Sequence, residues 1–458
     1  MGTADAMQQA AAIVHKQTQH WDHVVVIVSA MAGTTNALLS AVKAASDGEE
    51  SDFHTIIDRI HQRHLETIHS LFPNDQSTGE LIGHINQIMQ DLVTFCQSIH
   101  VLGEVTPRGT DLIASMGEKL CVPIFSRLLE SLNVASTPID STWLIVTDDH
   151  FMNALPLLPA TQEKVTKILL PLLNNGLTPV VTGFIGAAES GATTTLGRGG
   201  SDFTAAILAA CLDTTEVWTF TDVDGVMTAD PRIVPGAQVI PQLSYKEIGE
   251  MAYFGAKVLH PRTIQPIIER GIPLWVKNTF NPETPGTLIS NDKENQPGKI
   301  TAIAAIQDIS LVNVVGLGMM GVPGIAARTF TAVAREGASV LMISQSSSEQ
   351  SICFAIPSSH ADIVRSSIEA EMSLELLRRD IDRITLMENV VILTVIGANL
   401  RDKPGLSAKI FGALGKANIN VIAIAQGSSE LSVSLVVNAT ESIQAVRAIH
   451  AEVIENNQ

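Results

Sequence analysis

Two stretches in the C-terminal part of the chain repeat each other at one constant offset. Residues 322–330 read VPGIAARTF and return 81 residues later, at 403–411, as KPGLSAKIF. ASVLMISQ at 338–345 returns at the same offset as INVIAIAQ, and Ser-Ser-Glu follows both copies. An offset kept across separate motifs indicates a duplicated structural unit. Each copy predicts a strand, a Pro-Gly helix cap, a helix, a strand, a turn and a strand, which is typical of a paired module for small ligands.

The residues before this repeat alternate β-branched runs with helical patterns. A helix is predicted near 37–46, and strands are predicted at 24–28, 141–147, 179–182, 216–221 and 272–277. Strands that alternate with helices predict an α/β domain with a mostly parallel sheet. The polar run NDKENQPGK predicts a domain boundary. We therefore predict one domain at 1–290, a linker at 291–300, and the two repeat units at 301–380 and 381–458.

Composition excludes several classes of function. The 458 residues are 45% hydrophobic and 17% charged, so a largely disordered chain is excluded. A net charge of −18 and 4% aromatic residues argue against nucleic-acid binding. No uncharged apolar run reaches the roughly 18 residues of a membrane span, and the N-terminus lacks a signal-peptide pattern. Four scattered cysteines without a C-x-x-C motif predict a reduced, cytoplasmic protein without a zinc site.

A glycine-rich loop, LGRGGSD at 196–202, precedes a helical pattern. Its consecutive glycines let backbone N–H groups approach an anion, and the helix start adds positive potential. Arg198 has the planar fork that binds a carboxylate through two hydrogen bonds. Ser201 and Asp202 are also suitable as helix caps, which is their structural alternative. A cap does not require Arg-Gly-Gly beside it, so we favour a binding loop.

Further charged residues follow a predicted strand. Four charged residues lie within the eleven residues after the strand at 216–221: Asp222, Asp224, Asp230 and Arg232. In α/β sheets ligands bind beyond the carboxyl ends of strands, although an acidic surface turn explains the pattern equally well. Lys257 lies among small and apolar residues in AYFGAKVLHPR. It either binds a phosphate or is an ordinary lysine whose ammonium group is exposed to water.

One motif suggests a different cofactor. GLGMMG at 316–321 matches the G-x-G-x-x-G fingerprint of dinucleotide-binding proteins. It lies inside the first repeat, however, and the equivalent segment of the second repeat, GANLRD at 397–402, lacks the pattern. We therefore reject NAD and predict a glycine-rich loop within a repeat unit.

The motifs together resemble those of aspartate kinases. The resemblance covers nearly the whole chain and rests on SAMAGTTN, GEKL, TGFIG, LGRGGSD, TDVDG, FGAKVLHPRT and the tandem repeat, in this order. It is strongest to the kinase part of bifunctional aspartate kinase–homoserine dehydrogenases. The resemblance implies an amino-acid kinase fold followed by two ferredoxin-like βαββαβ ACT domains. A glutamate or N-acetylglutamate kinase is a further alternative. The tandem repeat and the motif FGAKVLHPRT argue against it.

The resemblance also implies a reaction. Aspartate kinases transfer the γ-phosphoryl group of ATP, with Mg²⁺, to the side-chain carboxylate of L-aspartate. The product, 4-phospho-L-aspartate, feeds lysine, threonine and methionine biosynthesis, and ACT domains bind a regulatory amino acid. We therefore expect L-aspartate, ATP and either threonine or lysine as ligands. We also expect a homodimer or a dimer of dimers, and no resident metal site.

Individual residues take their implied roles from the matching motifs. The implied catalytic residues are Arg198, Asp202 and Lys257. The implied aspartate-binding residues are Thr35, Glu118, Phe184, Arg198 and Ser201, with Glu118 on the substrate ammonium. The implied nucleotide-binding residues are Ser29, Thr221, Asp222, Met227, Arg232, Lys257 and Val258; the family often has Tyr where this chain has Met227. The implied effector-binding residues are Pro323, Gly324, Gln345 and Gln426.

The start of the sequence departs from the family pattern. Aspartate kinases open with a strand and Lys-Phe-Gly-Gly-Thr-Ser, whereas this sequence starts with residues typical of the segment after that motif. We expect that the recorded start is internal, because Arg198, Asp222 and Lys257 are all present. The alternative is a non-catalytic chain that binds a regulatory amino acid and a partner kinase. On either reading, we expect the 458-residue form to have little kinase activity.

Overall fold

The structure is a computed structural model that describes residues 1–73, 78–255, 259, 261–291, 300–345, 350–400, 403–426 and 431–455. The chain divides into two compact units. The first unit contains residues 1–225 and 259–291, and the second contains 226–258 and 292–458. The segment 226–258 therefore belongs with the C-terminal repeats, although it precedes the last part of the first unit in sequence.

The first unit begins with alternating helices and short strands. Its first helices are α1 (Ala4–Gln17), α2 (Thr34–Ser46), α3 (Glu50–Leu71), α4 (Thr78–Leu102), α5 (Pro107–Ala114), α6 (Met116–Ser131), α7 (Leu158–Asn174) and α8 (Gly200–Leu212). Its first strands are β1 (Val26–Val28), β2 (Ser136–Ile139), β3 (Val146–Thr147), β4 (Thr178–Thr182), β5 (Ile185–Ala188), β6 (Thr193–Thr195) and β7 (Val217–Thr221). Next in the chain, β8 (Gln242–Ser244) and α9 (Tyr245–Tyr253) belong to the second unit. The first unit then ends with α10 (Gln265–Arg270), β9 (Leu274–Asn278) and β10 (Thr287–Ser290).

The strands of the first unit are mostly parallel. β4 lies between β1 and β2 and is parallel to both. β7 is parallel to β9, β3 is parallel to β5, and β6 and β10 add antiparallel partners. This confirms the predicted α/β architecture. The predicted strand at 141–147 is wrong in its first half, because Asp140 caps a 3₁₀ turn at Ser141–Trp143 by accepting from the Thr142 amide at 2.9 Å.

Helices pack with the β1–β4–β2 sheet around a large apolar core. Fully buried side chains from several helices meet there, including Met7, Leu38, Phe53, Leu92 and Phe125. The predicted helix near 37–46 begins earlier, at Thr34, because Gly33 adopts the left-handed conformation that ends the preceding loop (φ 82°).

The second unit contains the two repeats. Its remaining strands are β11 (Ile300–Val315), β12 (Met342–Gln345), β13 (Ser351–Pro357), β14 (Arg383–Gly397), β15 (Ala423–Ala425) and β16 (Ser432–Asn438). Its remaining helices are α11 (Ile325–Arg335), α12 (Ala361–Glu371), α13 (Ser373–Arg378), α14 (Leu406–Lys416) and α15 (Ser442–Val453). The predicted Pro-Gly caps are present, since Gly324 and Gly405 stand before α11 and α14 with φ of 92° and 84°.

Each repeat completes its sheet with half of the other repeat's long strand. The second half of β11, residues 309–315, lies between β13 and the first part of β14, residues 383–387. The second half of β14, residues 390–396, lies between β16 and the first half of β11, residues 300–306. The resulting orders are β12–β13–β11–β14 and β11–β14–β16–β15. Both match the four-stranded ferredoxin-like sheet and confirm the predicted fold. The halves meet at Asp308 and Asn389, which have left-handed φ values of 57° and 55°.

The glycines of GLGMMG have a packing role. A Cβ on Gly316 would lie 2.2 Å from the Asp380 carbonyl oxygen, and one on Gly318 would lie 2.5 Å from the Asp380 Cα. Real side chains do not approach backbone this closely, so both positions require glycine for the contact with Asp380. The motif is thus explained by packing inside the first repeat, as the sequence comparison between the repeats indicated.

Candidate active site

The carboxyl ends of β1 and β4 lie side by side. The Gly183 amide, directly after β4, donates a hydrogen bond to the carbonyl oxygen of Val28, the last residue of β1, at 2.9 Å. The motifs SAMAGTTN and TGFIG continue from these two strand ends. Ligands of open α/β sheets bind at the carboxyl ends of parallel strands. The two motifs therefore start at the edge of the sheet where a ligand is expected.

Glu118 enters this region from the first turn of α6. Its side chain is buried, and its Oε1 accepts a hydrogen bond from the Ala30 amide at 3.1 Å. α6 approaches this loop closely, since a Cβ on Gly117 would lie 2.8 Å from the Ala30 Cβ. The other carboxylate oxygen, Oε2, is buried without a hydrogen-bond partner among the described residues. A buried oxygen of this kind is ready to accept a hydrogen bond from a ligand.

The burial of Glu118 makes protein stability depend on pH. Desolvation raises its pKa from 4.5 to about 7, against the lowering effect of the Ala30 hydrogen bond. The folded state therefore binds more protons than the unfolded state between these values. We expect the free energy of unfolding to fall by up to roughly 3 kcal/mol as pH rises from about 4.5 to about 7, and then to level off.

Denaturant titrations of the ligand-free protein across this range, beside Glu118→Gln, test the expected pH dependence. The variant should lack this component of the pH dependence, because the amide does not titrate. Identical pH slopes for the two proteins would contradict the burial of the carboxyl group in the free protein.

The TGFIG and LGRGGSD loops contact each other closely. A Cβ on Gly183 would lie 2.5 Å from Ser201 Oγ, and one on Gly200 would lie 2.5 Å from a ring carbon of Phe184. Phe184 has a left-handed backbone (φ 69°), and its amide donates to the Thr204 hydroxyl at 3.0 Å. The structure therefore brings two implied aspartate-binding residues, Phe184 and Ser201, into one cluster at the end of β4.

Arg198 and Asp202 lie on either side of the start of α8. Arg198 is exposed in the loop, whereas Asp202 is in the first turn of the helix. Burial raises the pKa of Asp202 to about 6, and a side-chain hydrogen bond with Thr219 acts in the opposite direction. Thr219 belongs to β7, so Asp202 connects the glycine-rich loop to the strand that ends at Thr221.

The remaining implied residues are distributed over both units. Ser29 is exposed directly after β1, and Thr35 lies half-buried in the first turn of α2. Thr221 ends β7, and its hydroxyl donates to the exposed carboxylate of Asp222 at 3.1 Å. Met227 and Arg232 belong to the second unit, where Arg232 forms an ion pair with Asp230 at 2.6 Å. Lys257 and Val258 lie outside the described residues.

The structure adds Asp111, a residue that the sequence motifs did not single out. Its buried carboxylate accepts hydrogen bonds from the Met152 amide at 2.8 Å and from the Thr195 amide and hydroxyl at 3.0 and 2.7 Å. Thr195 is the residue immediately before LGRGGSD. No local sequence signal marks Asp111, because its partners Met152 and Thr195 are 41 and 84 residues away in sequence.

We expect Asp111→Asn to destabilise the protein by about 3 kcal/mol. An amide group in place of the carboxylate presents N–H groups to donors that need an acceptor. Thermal and denaturant unfolding measure the loss, and Glu104→Gln, an exposed acidic residue nearby, is the matched control. Equal stability of the two variants would contradict the anchoring role of Asp111.

Two family models match the chain. The model described as amino acid kinase family matches residues 1–278, and the model described as ACT domain matches 312–372 and again 393–453. The chain belongs to the amino acid kinase family. The duplicated unit read from the 81-residue offset is thus an ACT pair, and the resemblance stated from the motifs is confirmed.

Curated relatives of this amino acid kinase are aspartokinases. Bifunctional aspartokinase/homoserine dehydrogenase 1 of Zea mays is 34% identical over 456 residues, which cover 98% of this chain and 49% of that protein. Aspartokinase 2 of Arabidopsis thaliana is 33% identical over 441 residues, covering 94% of this chain and 79% of that protein. The chain spans about half the length of the bifunctional relatives that it matches.

Solved structures similar to this amino acid kinase include E. coli aspartokinase III. Its complex with aspartate and ADP, an R-state, has a TM-score of 0.81 at 31% identity and covers 99% of this chain and 97% of that one. Its T-state complex with lysine and aspartate has a TM-score of 0.78 at 31% identity, covering 98% and 96%. The similarity therefore extends through both the kinase and the ACT parts.

Proposed function

We propose that the protein carrying this chain is an aspartate kinase, which phosphorylates the side-chain carboxylate of L-aspartate with ATP. The observation that supports this most directly is the buried Oε2 of Glu118, which has no hydrogen-bond partner in the part of the chain that the structure describes. A buried carboxylate oxygen beside the ends of β1 and β4 suits a positively charged ligand group, here the α-ammonium of aspartate. The aspartokinase relatives and the aspartate complex of a similar structure support the same substrate.

The geometry supports catalysis mainly by positioning. The carboxylate of aspartate is itself the nucleophile, so the reaction needs no strong base. Glu118 would hold the ammonium group, Arg198 would hold the α-carboxylate through two hydrogen bonds, and Ser201 would bind from the start of α8. Fixing the substrate at both ends leaves the side-chain carboxylate free for in-line attack on phosphorus.

We propose that ATP binds mainly to residues at and after the end of β7. Thr221 and Asp222 would contact the adenosine, while Ser29, Arg232 and Lys257 would lie toward the phosphates, and Met227 and Val258 would cover apolar parts. Arg232 is exposed and would exchange its partner Asp230 for phosphate at little cost, because solvent screens the ion pair. The described residues hold no group of His, Cys, Asp or Glu side chains suited to a metal, and we propose Mg²⁺ as part of the MgATP substrate.

The ACT pair is the proposed site of feedback control. Gln345 and Gln426 are exposed at the ends of β12 and β15, and these strands are neighbours because Ser344 Oγ donates to the Ile424 carbonyl at 3.0 Å. Pro323 and Gly324 are exposed before α11. We propose that threonine or lysine binds to these residues, and the lysine complex of a similar structure supports lysine. A homodimer and a cytoplasmic location remain predictions, and no helix among the described residues combines the length and apolarity of a membrane span.

The decisive experiment compares substrates that differ only at the ammonium group. The full-length protein that contains residues 1–458 is purified and incubated with MgATP and either L-aspartate or N-acetyl-L-aspartate, and the acyl phosphate is trapped with hydroxylamine. We expect kcat/KM for N-acetyl-L-aspartate to be lower by at least about a hundredfold, because acetylation removes the charge that Glu118 binds.

Equal use of both compounds would contradict the proposed substrate pocket. Formation of no acyl phosphate, together with saturable binding of lysine or threonine by calorimetry, would favour the alternative of a non-catalytic regulatory chain.

A further inference from the structure

The segment 226–240, which follows the TDVDG motif, folds as a hairpin within the second unit. The Thr228 amide donates to the Gln238 carbonyl at 2.9 Å, and the Ile240 amide donates to the Val226 carbonyl at 2.8 Å. This hairpin includes Met227 and Arg232, which the proposed function assigns to the nucleotide. Its conformation therefore bears on how ATP is bound.

The hairpin is part of the hydrophobic core of the second ACT repeat. Ala229 and Val234 are buried in the same cluster as Val446 and Ile449 of α15. The backbone is attached as well, because the Ile303 amide of β11 donates to the Thr228 carbonyl at 2.8 Å. Arg447 of α15 donates through Nε to the Ile233 carbonyl at 2.7 Å. The hairpin is thus fixed to the repeat along its length.

One fully buried polar side chain connects the hairpin to α15. His450 Nε2 lies 3.0 Å from Thr228 Oγ1, and its Nδ1 lies 3.0 Å from Glu455 Oε1. The Gln238 amide also donates to Thr228 Oγ1, at 3.0 Å. With the ring proton on Nδ1, every group has a partner: Gln238 donates to Thr228, Thr228 donates to His450, and His450 donates to Glu455.

The ACT fold itself does not require this histidine. Ile368 and Ile449 occupy equivalent positions of the two repeats and are both buried, as expected for a shared core. The next position is His450 in the second repeat but Glu369 in the first, where the side chain is exposed. The buried histidine therefore distinguishes the repeat that holds the hairpin from the one that does not.

We propose that His450 is a positioning residue for ATP, which it serves by holding the 226–240 hairpin through Thr228. This inference rests on the proposed function, because it takes the hairpin to be part of the nucleotide site. His450 itself would not touch the nucleotide. Its loss should weaken the binding of ATP without altering the pocket for aspartate, which is built on β1, β4, α6 and α8.

The test uses variants of the full-length protein that contains this chain. His450→Leu and Thr228→Val each remove the hydrogen bond, and we expect each to raise the KM for ATP about tenfold. The KM for aspartate and kcat should stay within about twofold of the unmodified protein. The effect of the double variant should be smaller than the sum of the two single effects, because both variants remove the hydrogen bond between Thr228 and His450. His450→Gln, which keeps a polar group near the Nε2 position, should recover most of the ATP affinity.

A control variant and a second measurement separate positioning from general destabilisation. Ile410→Val removes a methylene group from the same core on α14 and should leave both KM values unchanged. Amide hydrogen exchange without nucleotide should be faster at Thr228 and Ile240 in His450→Leu, but not in Ile410→Val.

The outcomes distinguish this inference from the proposed function. No acyl phosphate from the unmodified protein would overturn the proposed function and this inference together. Normal activity with an unchanged KM for ATP in His450→Leu and Thr228→Val would overturn this inference alone. An equal rise of the KM for ATP in Ile410→Val would also overturn it, since the effect would then reflect core stability.

Discussion

Replacing Arg198 with alanine should raise the KM for aspartate about a hundredfold and change kcat for the saturated enzyme much less. Arg198 is exposed in the loop immediately before α8, three residues before Ser201, and its guanidinium is proposed to hold the α-carboxylate of the substrate. Its removal leaves one end of aspartate unbound, whereas the residues proposed for ATP are unchanged. Initial rates at varied aspartate and saturating MgATP measure the effect.

Two further variants make this result specific. Arg198→Lys keeps the charge but loses the paired hydrogen bonds, so we expect an intermediate rise of about tenfold. Arg59→Ala removes an exposed arginine of α3 and should leave the kinetics unchanged. A normal KM for aspartate in Arg198→Ala would remove this residue from the substrate pocket.

Gly183→Ala should reduce kcat/KM for aspartate by about a hundredfold or more. The added methyl group would lie 2.5 Å from Ser201 Oγ and 3.0 Å from the Ser201 Cα, so the end of β4 and the start of α8 must separate. We expect a loss of stability of about 2 kcal/mol from this overpacking. Steady-state kinetics and thermal unfolding measure the two effects.

Gly83→Ala is the matched control for this substitution. Gly83 lies within α4, and no described atom lies within 4 Å of the position that its Cβ would take. Alanine favours a helix by up to about 1 kcal/mol over glycine, so this variant should be slightly more stable and fully active. If Gly183→Ala behaved in the same way, the close contact between the two loops would be contradicted.

Local sequence patterns predicted most of the strands and helices named above. They did not predict features that depend on contacts between residues far apart in sequence. The β-branched run before SAMAGTTN predicted β1, and the 81-residue offset predicted a duplicated unit, which the family resemblance implied to be an ACT pair. The exchange of strand halves at Asp308 and Asn389 was not predicted, because pairing depends on register between residues far apart in sequence. The placement of the 226–240 hairpin was missed for the same reason, since Thr228 and His450 are 222 residues apart.

The candidate site shows the same division between local and long-range information. The resemblance to aspartate kinases implied Phe184, Ser201 and Glu118, because these residues lie within short motifs that match the family. Asp111 lies in no such motif, and its importance is visible only once the strand that contains Thr195 is placed beside α5. Buried carboxylates that support a loop from another element are therefore the residues that motif reading overlooks.

The exchange of strand halves has a consequence for the order of synthesis. Residues 300–306 (ITAIAAI) leave the ribosome about 90 residues before 390–396, their strand partner, which at roughly 5–20 residues per second is a delay of several seconds. An uncharged, β-branched stretch without its partner is prone to aggregate with other nascent chains. The second ACT sheet therefore begins to form only after 390–396 has emerged, and until then 300–306 depends on the rest of the nascent chain to keep it from such contacts.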